Sequence, residues 1–230
     1  MKYIVHDDHE FVYFVVQKVA CTSIKSAIEH LFDFEKPAGR GKNQSDGARH
    51  DGIHKRFDRS RYQINEDKLL RRVDRRYKNY FKFGFVRNPW DRLVSCHFNK
   101  FRKGGPGLGL PDDGVDVELY PGIPFAEFVE AVHAIPDGSS NPHFKSQHTV
   151  FCPGGDGVVL ANFVGRFEDL ADGFEHVMRK IDPASKIELP HKLRSKNRGS
   201  RPYAEFYDDR LRRLAHERFR EDIEIFGYSF

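Results

Sequence analysis

The feature that most constrains the fold is a buried strand followed at once by a helix, which occurs twice early in the chain. The run 11–16 is continuously apolar and rich in β-branched and aromatic residues, as in a parallel strand covered on both faces. Apolar residues then recur with helical spacing up to Phe32. The alternating run 81–86 precedes a second helix, with Asn88 as its cap and Pro89 at its first position. This alternation predicts a three-layer α/β domain with a central, mainly parallel sheet.

Further strand and helix signals continue to the C-terminus. The apolar run 158–164 predicts a third buried strand, and a long terminal helix is expected to end at Gly227. Two polar, glycine-containing stretches, 36–61 and 104–114, predict long surface loops. With 230 residues and no visible repeat or second core, the chain is expected to form one domain over residues 1–230.

Charge, hydropathy and cysteine content argue against several classes of protein. The 38 basic and 34 acidic residues leave a net charge of only +4, which argues against a nucleic-acid-binding surface. No apolar run approaches the ~18 residues of a membrane span, and the N-terminus has no signal-peptide pattern. Three widely spaced cysteines favour a reducing compartment over a disulfide framework. The sequence therefore predicts a cytoplasmic protein.

The first strand-to-helix junction carries groups that suit an anion. A helix that follows a buried strand presents unpaired N–H groups and the positive end of its dipole. Lys18 lies in this junction, and Thr22 and Ser23 stand at the start of the helix. A capped helix beside a solvated lysine would give the same pattern, so this alternative stays open. The P-loop pattern G-x-x-x-x-G-K-[ST] does not occur here, which disfavours an ordinary nucleotide triphosphatase.

The second junction repeats the arrangement with different side chains. Arg87 follows the strand and Ser95 lies on the next helix, so a second anion would fit here. In the alternative interpretation Arg87 is a surface charge, Asp91 pairs with it or with Arg92, and Ser95 packs near the core. The residues by themselves leave both interpretations open.

Both junctions, in this order, resemble the two phosphosulfate-binding signatures of the family 2 carbohydrate sulfotransferases. Residues 17–23, QKVACTS, are similar to that family's P-K-V-A-C-T-[SN] loop, with Gln17 in place of the usual proline. Residues 82–95 are similar to its K-F-x-F-V-R-x-P-[FW]-x-R-L-V-S run. Residues 163–170 and 222–228 resemble its F-V-G-[KR]-F-E-x-L and D-[FI]-x-x-F-G-Y segments. The likeness covers most of the chain outside the two loop regions.

This resemblance implies a sulfotransferase with a P-loop-like nucleotide-binding fold and the donor PAPS, 3′-phosphoadenosine-5′-phosphosulfate. It implies that the residues of the first junction hold the 5′-phosphosulfate, namely Lys18, Val19, Ala20, Cys21, Thr22 and Ser23. It also implies that Arg87 and Ser95 hold the 3′-phosphate, and that Arg198 and Ser200 close over it.

The implied transfer is an in-line displacement that needs few protein groups. An acceptor hydroxyl attacks the sulfur, and Lys18 stabilises the charge that develops on the leaving oxygen. Histidine suits the base that takes the hydroxyl proton, and we rank His54 first, then His50, then His148. A structural or surface role is the alternative for each histidine. We expect no metal, because the histidines and Cys152 complete no paired-ligand spacing and the reaction needs none.

The expected function is therefore transfer of a sulfuryl group from PAPS to a hydroxyl of a carbohydrate-like acceptor. The alternatives are a P-loop small-molecule kinase and a non-catalytic binder of anionic polysaccharide with a basic surface at 36–61 and 71–78. Animal members of the family carry an N-terminal membrane anchor and work in the Golgi. This chain begins almost at its first predicted strand, so either it is a soluble enzyme of bacterial type or an anchor was removed. We expect the former, a soluble cytoplasmic enzyme. The sequence predicts neither the acceptor's identity nor the oligomeric state.

Overall fold

The computed structural model describes residues 1–34, 46–109, 117–187, 189 and 201–230, and of residues 46–51 the backbone alone. These residues fall into two compact units that alternate along the chain. The first unit takes the described residues of Met1–Val15, Ala20–Phe85 and Leu160–Leu193. The second takes those of Val16–Val19, Val86–Val159 and Arg194–Phe230. A single domain over the whole chain stays a prediction.

The first unit contains a five-stranded sheet in the order β3-β1-β2-β4-β5. Its strands are β1 (Tyr3–His6), β2 (Phe11–Phe14), β3 (Gln63–Ile64), β4 (Phe81–Val86) and β5 (Phe163–Arg166). Strand β2 pairs with β4 in parallel, from Phe11 opposite Phe81 to Phe14 opposite Gly84. Strand β1 pairs antiparallel with both β2 and β3. Every residue of β2 is buried, as expected for a strand covered on both faces.

Four helices belong to the first unit: α1 (Cys21–Ile28), α2 (Asp46–Asp58), α3 (Glu66–Leu70) and α7 (Leu170–Ile181). Helix α1 is short, and its residues Ile24, Ala27 and Ile28 face the core. Helix α7 packs closely on the sheet, because a Cβ built on Gly173 would lie 3.0 Å from the ring of Phe85. A Cβ on Gly165 of β5 would overlap the same ring, so this position needs glycine for space, whereas the contact at Gly173 is only tight.

The second unit is helical. It contains α4 (Pro89–Cys96), which continues into a π-helical turn at His97–Phe101, and α5 (Phe125–Ala134), α6 (His148–Phe151), α8 (Asp209–Arg218) and α9 (Arg220–Phe226). Large side chains from these helices and from the segments between them form one core, including Trp90, Phe101, Phe128, Phe144 and Phe219. In the part of the chain that the structure describes, no helix is both long and apolar enough to span a membrane.

The structure confirms the α/β class, the central sheet and both strand-to-helix junctions, and it joins the two predicted strands β2 and β4 in parallel. Four details differ from the predictions. Strand β1 was missed because it is short and ends at a buried histidine, His6, whose Nε2 lies 2.5 Å from the Leu31 carbonyl oxygen. The predicted loop 36–61 contains helix α2, which buries only Ile53 and Phe57 of its described side chains and so carries a weak apolar signal.

The other two corrections lie toward the C-terminus. The strand predicted at 158–164 is β5, at Phe163–Arg166, and Val158 is exposed. The expected long terminal helix is divided at Phe219 into α8 and α9, and Phe219 has its ring in the core. The predicted stop is confirmed, since Gly227 ends α9 in the left-handed conformation with a φ of 62°.

Candidate active site

The start of α1 has an unusual backbone. Lys18 and Ala20 adopt positive φ angles of 66° and 52°, which residues other than glycine rarely do. Ala20 is the N-cap, and its side chain makes no capping hydrogen bond. The N–H groups of Ser23 and Ile24 bond to the Ala20 carbonyl oxygen. An uncapped helix start after left-handed residues is a backbone arrangement that suits an anion.

In the first unit, a buried polar cluster lies on α1 just after this start. The Thr22 hydroxyl lies 2.9 Å from Nε2 of His54, and Nζ of Lys25 lies 3.2 Å from Nδ1 of the same ring. Lys25 is only 1% exposed, and its ammonium lies 5.5 Å from the centre of the Phe57 ring. Burial lowers the pKa of Lys25, although the nearby Cys21 and Asp58 oppose that shift.

In the second unit, Arg87 joins the two motif segments. Its Nε and Nη2 both lie 2.8 Å from one carboxylate oxygen of Asp91, and its Nη1 donates to the Lys18 carbonyl oxygen at 3.2 Å. Arg92, which is buried, donates from Nε to the Gln17 carbonyl oxygen at 3.0 Å. Two arginines of the second motif thus hold the backbone of the first, about 70 residues earlier.

A buried network holds the backbone of Arg87. Its N–H donates to the Gln147 side-chain oxygen, and the Gln147 amide donates back to the Arg87 carbonyl oxygen. Asp222, which is fully buried, accepts the backbone N–H groups of Gln147 and His148. His148 lies between Asp222 and Glu221, at 2.9 and 2.8 Å. Burial by itself would lower the pKa of His148, but these two carboxylates outweigh it and raise the pKa.

The helix that follows Arg87 is capped as predicted. The Asn88 side chain accepts the N–H groups of Trp90 and Asp91, and Pro89 follows the cap. The Asn88 amide also donates to the Ser229 carbonyl oxygen at 2.9 Å. Asp91 and Ser95 are four residues apart on α4 and so lie on one face of the helix.

Comparison with known proteins identifies the family of this chain. The family model described as "Sulfotransferase family" matches residues 1–229. The chain belongs to the sulfotransferase family.

Curated relatives are similar over most of this sulfotransferase chain. It is 26% identical to carbohydrate sulfotransferase 11 of Danio rerio over 255 residues, which cover 98% of this chain and 66% of that protein. It is 26% identical to the Rattus norvegicus protein of the same name, with the same shares, and 25% identical to carbohydrate sulfotransferase 14 of Danio rerio over 82% of this chain and 50% of that protein. The chain thus spans two thirds or less of the length of these relatives. No solved structure matches it.

The structure locates most, but not all, of the residues predicted for the site. Lys18 and Val19 share the second unit with Arg87 and Ser95, whereas Ala20, Cys21, Thr22, Ser23 and His54 belong to the first. Arg198 and Ser200 lie outside the described residues, as does the side chain of His50. Their predicted roles stay predictions.

All three cysteines are buried, and none forms a disulfide. Burial raises the pKa of the Cys96 thiol to about 11, against the opposing charges of Lys18 and Arg92, so this thiol is a poor nucleophile. Within the described ranges, no group of three or more His, Cys, Asp or Glu side chains is arranged to hold a metal ion.

Sequence reasoning missed Lys25 and the network around Arg87. Lys25 lies three residues after Thr22, which places both on one face of a helix, so a local signal was present. Gln147 binds the Arg87 backbone from 60 residues away, and Asp222 binds the Gln147 backbone from 75 residues away. No local sequence pattern indicates such partners.

Proposed function

We propose that this chain transfers a sulfuryl group from PAPS to a hydroxyl of a carbohydrate-like acceptor. Membership of the sulfotransferase family supports the reaction class. The observation that carries the proposal is the bond from Arg87 to the Lys18 carbonyl oxygen, together with the bond from Arg92 to Gln17. These bonds link the two predicted anion-binding segments, which a molecule with two separate anionic groups requires.

The residues suit a donor with two anionic ends. In the proposal, the 5′-phosphosulfate meets the Lys18 ammonium and the hydroxyls and backbone N–H groups at the uncapped start of α1. The 3′-phosphate meets the Arg87 guanidinium, which Asp91 fixes in orientation, and the Ser95 hydroxyl. Arg198 and Ser200 remain proposed contacts to the same phosphate.

The chemistry of PAPS is a direct displacement at sulfur. The acceptor oxygen forms a bond to sulfur while the bond from sulfur to the 5′-phosphate oxygen breaks, releasing adenosine 3′,5′-bisphosphate. The contribution of Lys18 is a fixed positive charge, which stabilises the negative charge that the leaving oxygen gains. This role needs no proton transfer from Lys18.

The acceptor's proton must go to a base, and the three histidines remain the candidates. His148 would have to release a carboxylate first, since its two ring nitrogens lie close to Asp222 and Glu221. Nε2 of His54 lies 2.9 Å from the hydroxyl of Thr22, the second residue of α1. His50 is four residues before His54 on helix α2.

The cellular location and the acceptor are also proposals. The three buried cysteines without disulfides support a reducing compartment, as we expect for a cytoplasmic enzyme. The names of the similar proteins, carbohydrate sulfotransferases 11 and 14, support a carbohydrate acceptor.

Incubation with sulfur-labelled PAPS and a panel of oligosaccharides tests the proposal. We expect label on an acceptor, with activity unaffected by EDTA because side-chain cations and backbone N–H groups stabilise the leaving group. Transfer of phosphate from ATP that depends on Mg²⁺ would indicate the kinase instead. Polysaccharide binding without label transfer, and without affinity for adenosine 3′,5′-bisphosphate, would indicate the non-catalytic binder.

A further inference from the structure

Three side chains, connected by two hydrogen bonds, lie between the interior of the first unit and the start of α1. Lys25 is buried, its Nζ lies 3.2 Å from Nδ1 of His54, and Nε2 of that ring lies 2.9 Å from the Thr22 hydroxyl. Thr22 is the second residue of α1, in the first turn of the helix, where the N-cap residue Ala20 makes no side-chain capping bond. The histidine is therefore bound on both sides.

The donor groups of Lys25 and His54 determine the direction of both hydrogen bonds. An ammonium group has only N–H donors, so Lys25 donates and Nδ1 of His54 accepts. A neutral imidazole that accepts at Nδ1 carries its proton on Nε2, and that N–H then donates to the Thr22 oxygen. The hydroxyl proton of Thr22 cannot point back at the same N–H, and it turns away from His54 to another acceptor.

We propose that Lys25 is a positioning residue, which fixes the tautomer of His54 and so makes the Thr22 hydroxyl a hydrogen-bond donor to an anion at the start of α1. The proposal rests on the proposed function only for the identity of that anion, the 5′-phosphate end of the donor. It gives His54 a role different from that of general base, because its Nδ1 lone pair is taken by Lys25.

The surroundings of Lys25 support a charged donor at this position. The ring of Phe57 lies 5.5 Å from the ammonium, within the range of a cation–π contact. Burial lowers the pKa of Lys25, while Cys21 and Asp58 favour its charged form electrostatically and Lys2 opposes it. A buried lysine is costly unless it has partners, so this residue serves more than packing.

The tautomer can be measured without any donor molecule. In the ligand-free protein labelled with ¹⁵N-histidine, long-range ¹H–¹⁵N correlation spectra should show His54 neutral and protonated at Nε2, with the signal assigned by its loss in His54→Gln. Lys25→Met keeps the length of the stem and removes the donor, and it should shift His54 toward the Nδ1-protonated form. Lys180→Met, at an exposed position of α7, is the matched control and should leave the spectrum unchanged.

Binding of adenosine 3′,5′-bisphosphate then tests the consequence for Thr22. Thr22→Val should weaken binding by about 10- to 100-fold, and Lys25→Met by about tenfold, because a donor to a charged group is lost or misdirected. In the Thr22→Val background, Lys25→Met should have little further effect, since both act through one hydroxyl. His54→Gln should recover most of what His54→Ala loses, because the glutamine amide can donate to Thr22 but cannot serve as a base.

The outcomes separate the inference from the proposed function. An Nδ1-protonated His54 in the parent protein, or a spectrum unchanged by Lys25→Met, would overturn the inference whatever the donor is. Additive losses in the double variant would do the same. If the tautomer is as expected but the parent does not bind the bisphosphate, only the proposed donor is wrong. A turnover rate for His54→Gln that is ~10²–10⁴ below the parent would restore the general-base role.

Discussion

The two strand-to-helix junctions that carry the family's motifs begin their helices in opposite ways. At α4, the Asn88 side chain accepts the N–H groups of Trp90 and Asp91, and Pro89, which has no N–H, takes the first position. At α1, the N-cap residue is Ala20, which has a φ of 52° and makes no side-chain capping hydrogen bond. The N-cap side chain thus caps α4 but not α1.

This difference indicates how each junction can meet an anion. Where a side-chain cap already satisfies the first N–H groups, we expect side chains to bind the anion, and Arg87 and Ser95 are the residues predicted for that role. Where the N-cap residue makes no capping bond, we expect the backbone at the helix start to take part, together with the Thr22 hydroxyl. We therefore expect the first junction to contribute to chemistry and the second to donor recognition and stability.

The largest effects should separate these two roles. Lys18→Met should lower kcat by ~10²–10³, the usual loss when one stabilising group for a developing negative charge is removed. Arg87→Met should act mainly on donor binding, raising the donor KM by about 10- to 100-fold. The matched controls, Lys180→Met and Arg179→Met, lie at exposed positions of α7. Steady-state kinetics with varied PAPS would contradict the division of roles if both variants changed the same constant by the same factor.

A second, intermediate effect concerns the cap. Asn88→Ala should lower the free energy of unfolding by about 2 kcal/mol, since it removes the cap and the bond to Ser229. Asp208→Ala removes a cap that accepts one N–H, that of Leu211, and should cost only about 1 kcal/mol. Urea unfolding measures both. Equal losses would mean that the Asn88 cap is an ordinary one.

The smallest expected effect is a pH dependence of stability that comes from His148, in the hydrogen-bond network that holds the Arg87 backbone. Because the folded pKa of His148 is raised above its usual ~6.5, protonated His148 stabilises the fold fully at low pH. That contribution is lost as the pH rises through the folded pKa. The difference in melting temperature between the parent and His148→Asn should therefore shrink from pH 6 to pH 8. His133→Asn, whose ring lies on the surface beside Glu217, is the control, and a difference that grew with pH would refute the assignment.

Local patterns predicted the elements that depend on neighbours in the sequence. The parallel strands β2 and β4 followed from apolar runs, and the start of α4 followed from Asn88 and Pro89. Interactions across long stretches of chain were not predictable in this way. The hydrogen bond from Arg87 to Lys18, the pairing of Gln147 with the Arg87 backbone and the buried Asp222 join segments that no spacing rule connects.

Helix α2 shows a different limit. Its described side chains offer few apolar residues to the core, so its composition is that of a loop, yet it carries His54 to the Thr22 hydroxyl. Polar contacts at the candidate site replace the apolar periodicity on which a prediction from sequence depends. The burial of Lys25 was not predicted for the same reason, because a lysine in a sequence indicates a surface position.

The most direct test of the account compares two nucleotides by calorimetry. The parent protein should bind adenosine 3′,5′-bisphosphate at least about tenfold more tightly than adenosine 5′-monophosphate, because only the first has a phosphate for Arg87. Arg87→Met should abolish that preference, and Lys18→Met should weaken both nucleotides while keeping it. Equal affinity of the parent for the two nucleotides, or a preference that survives Arg87→Met, would contradict the account.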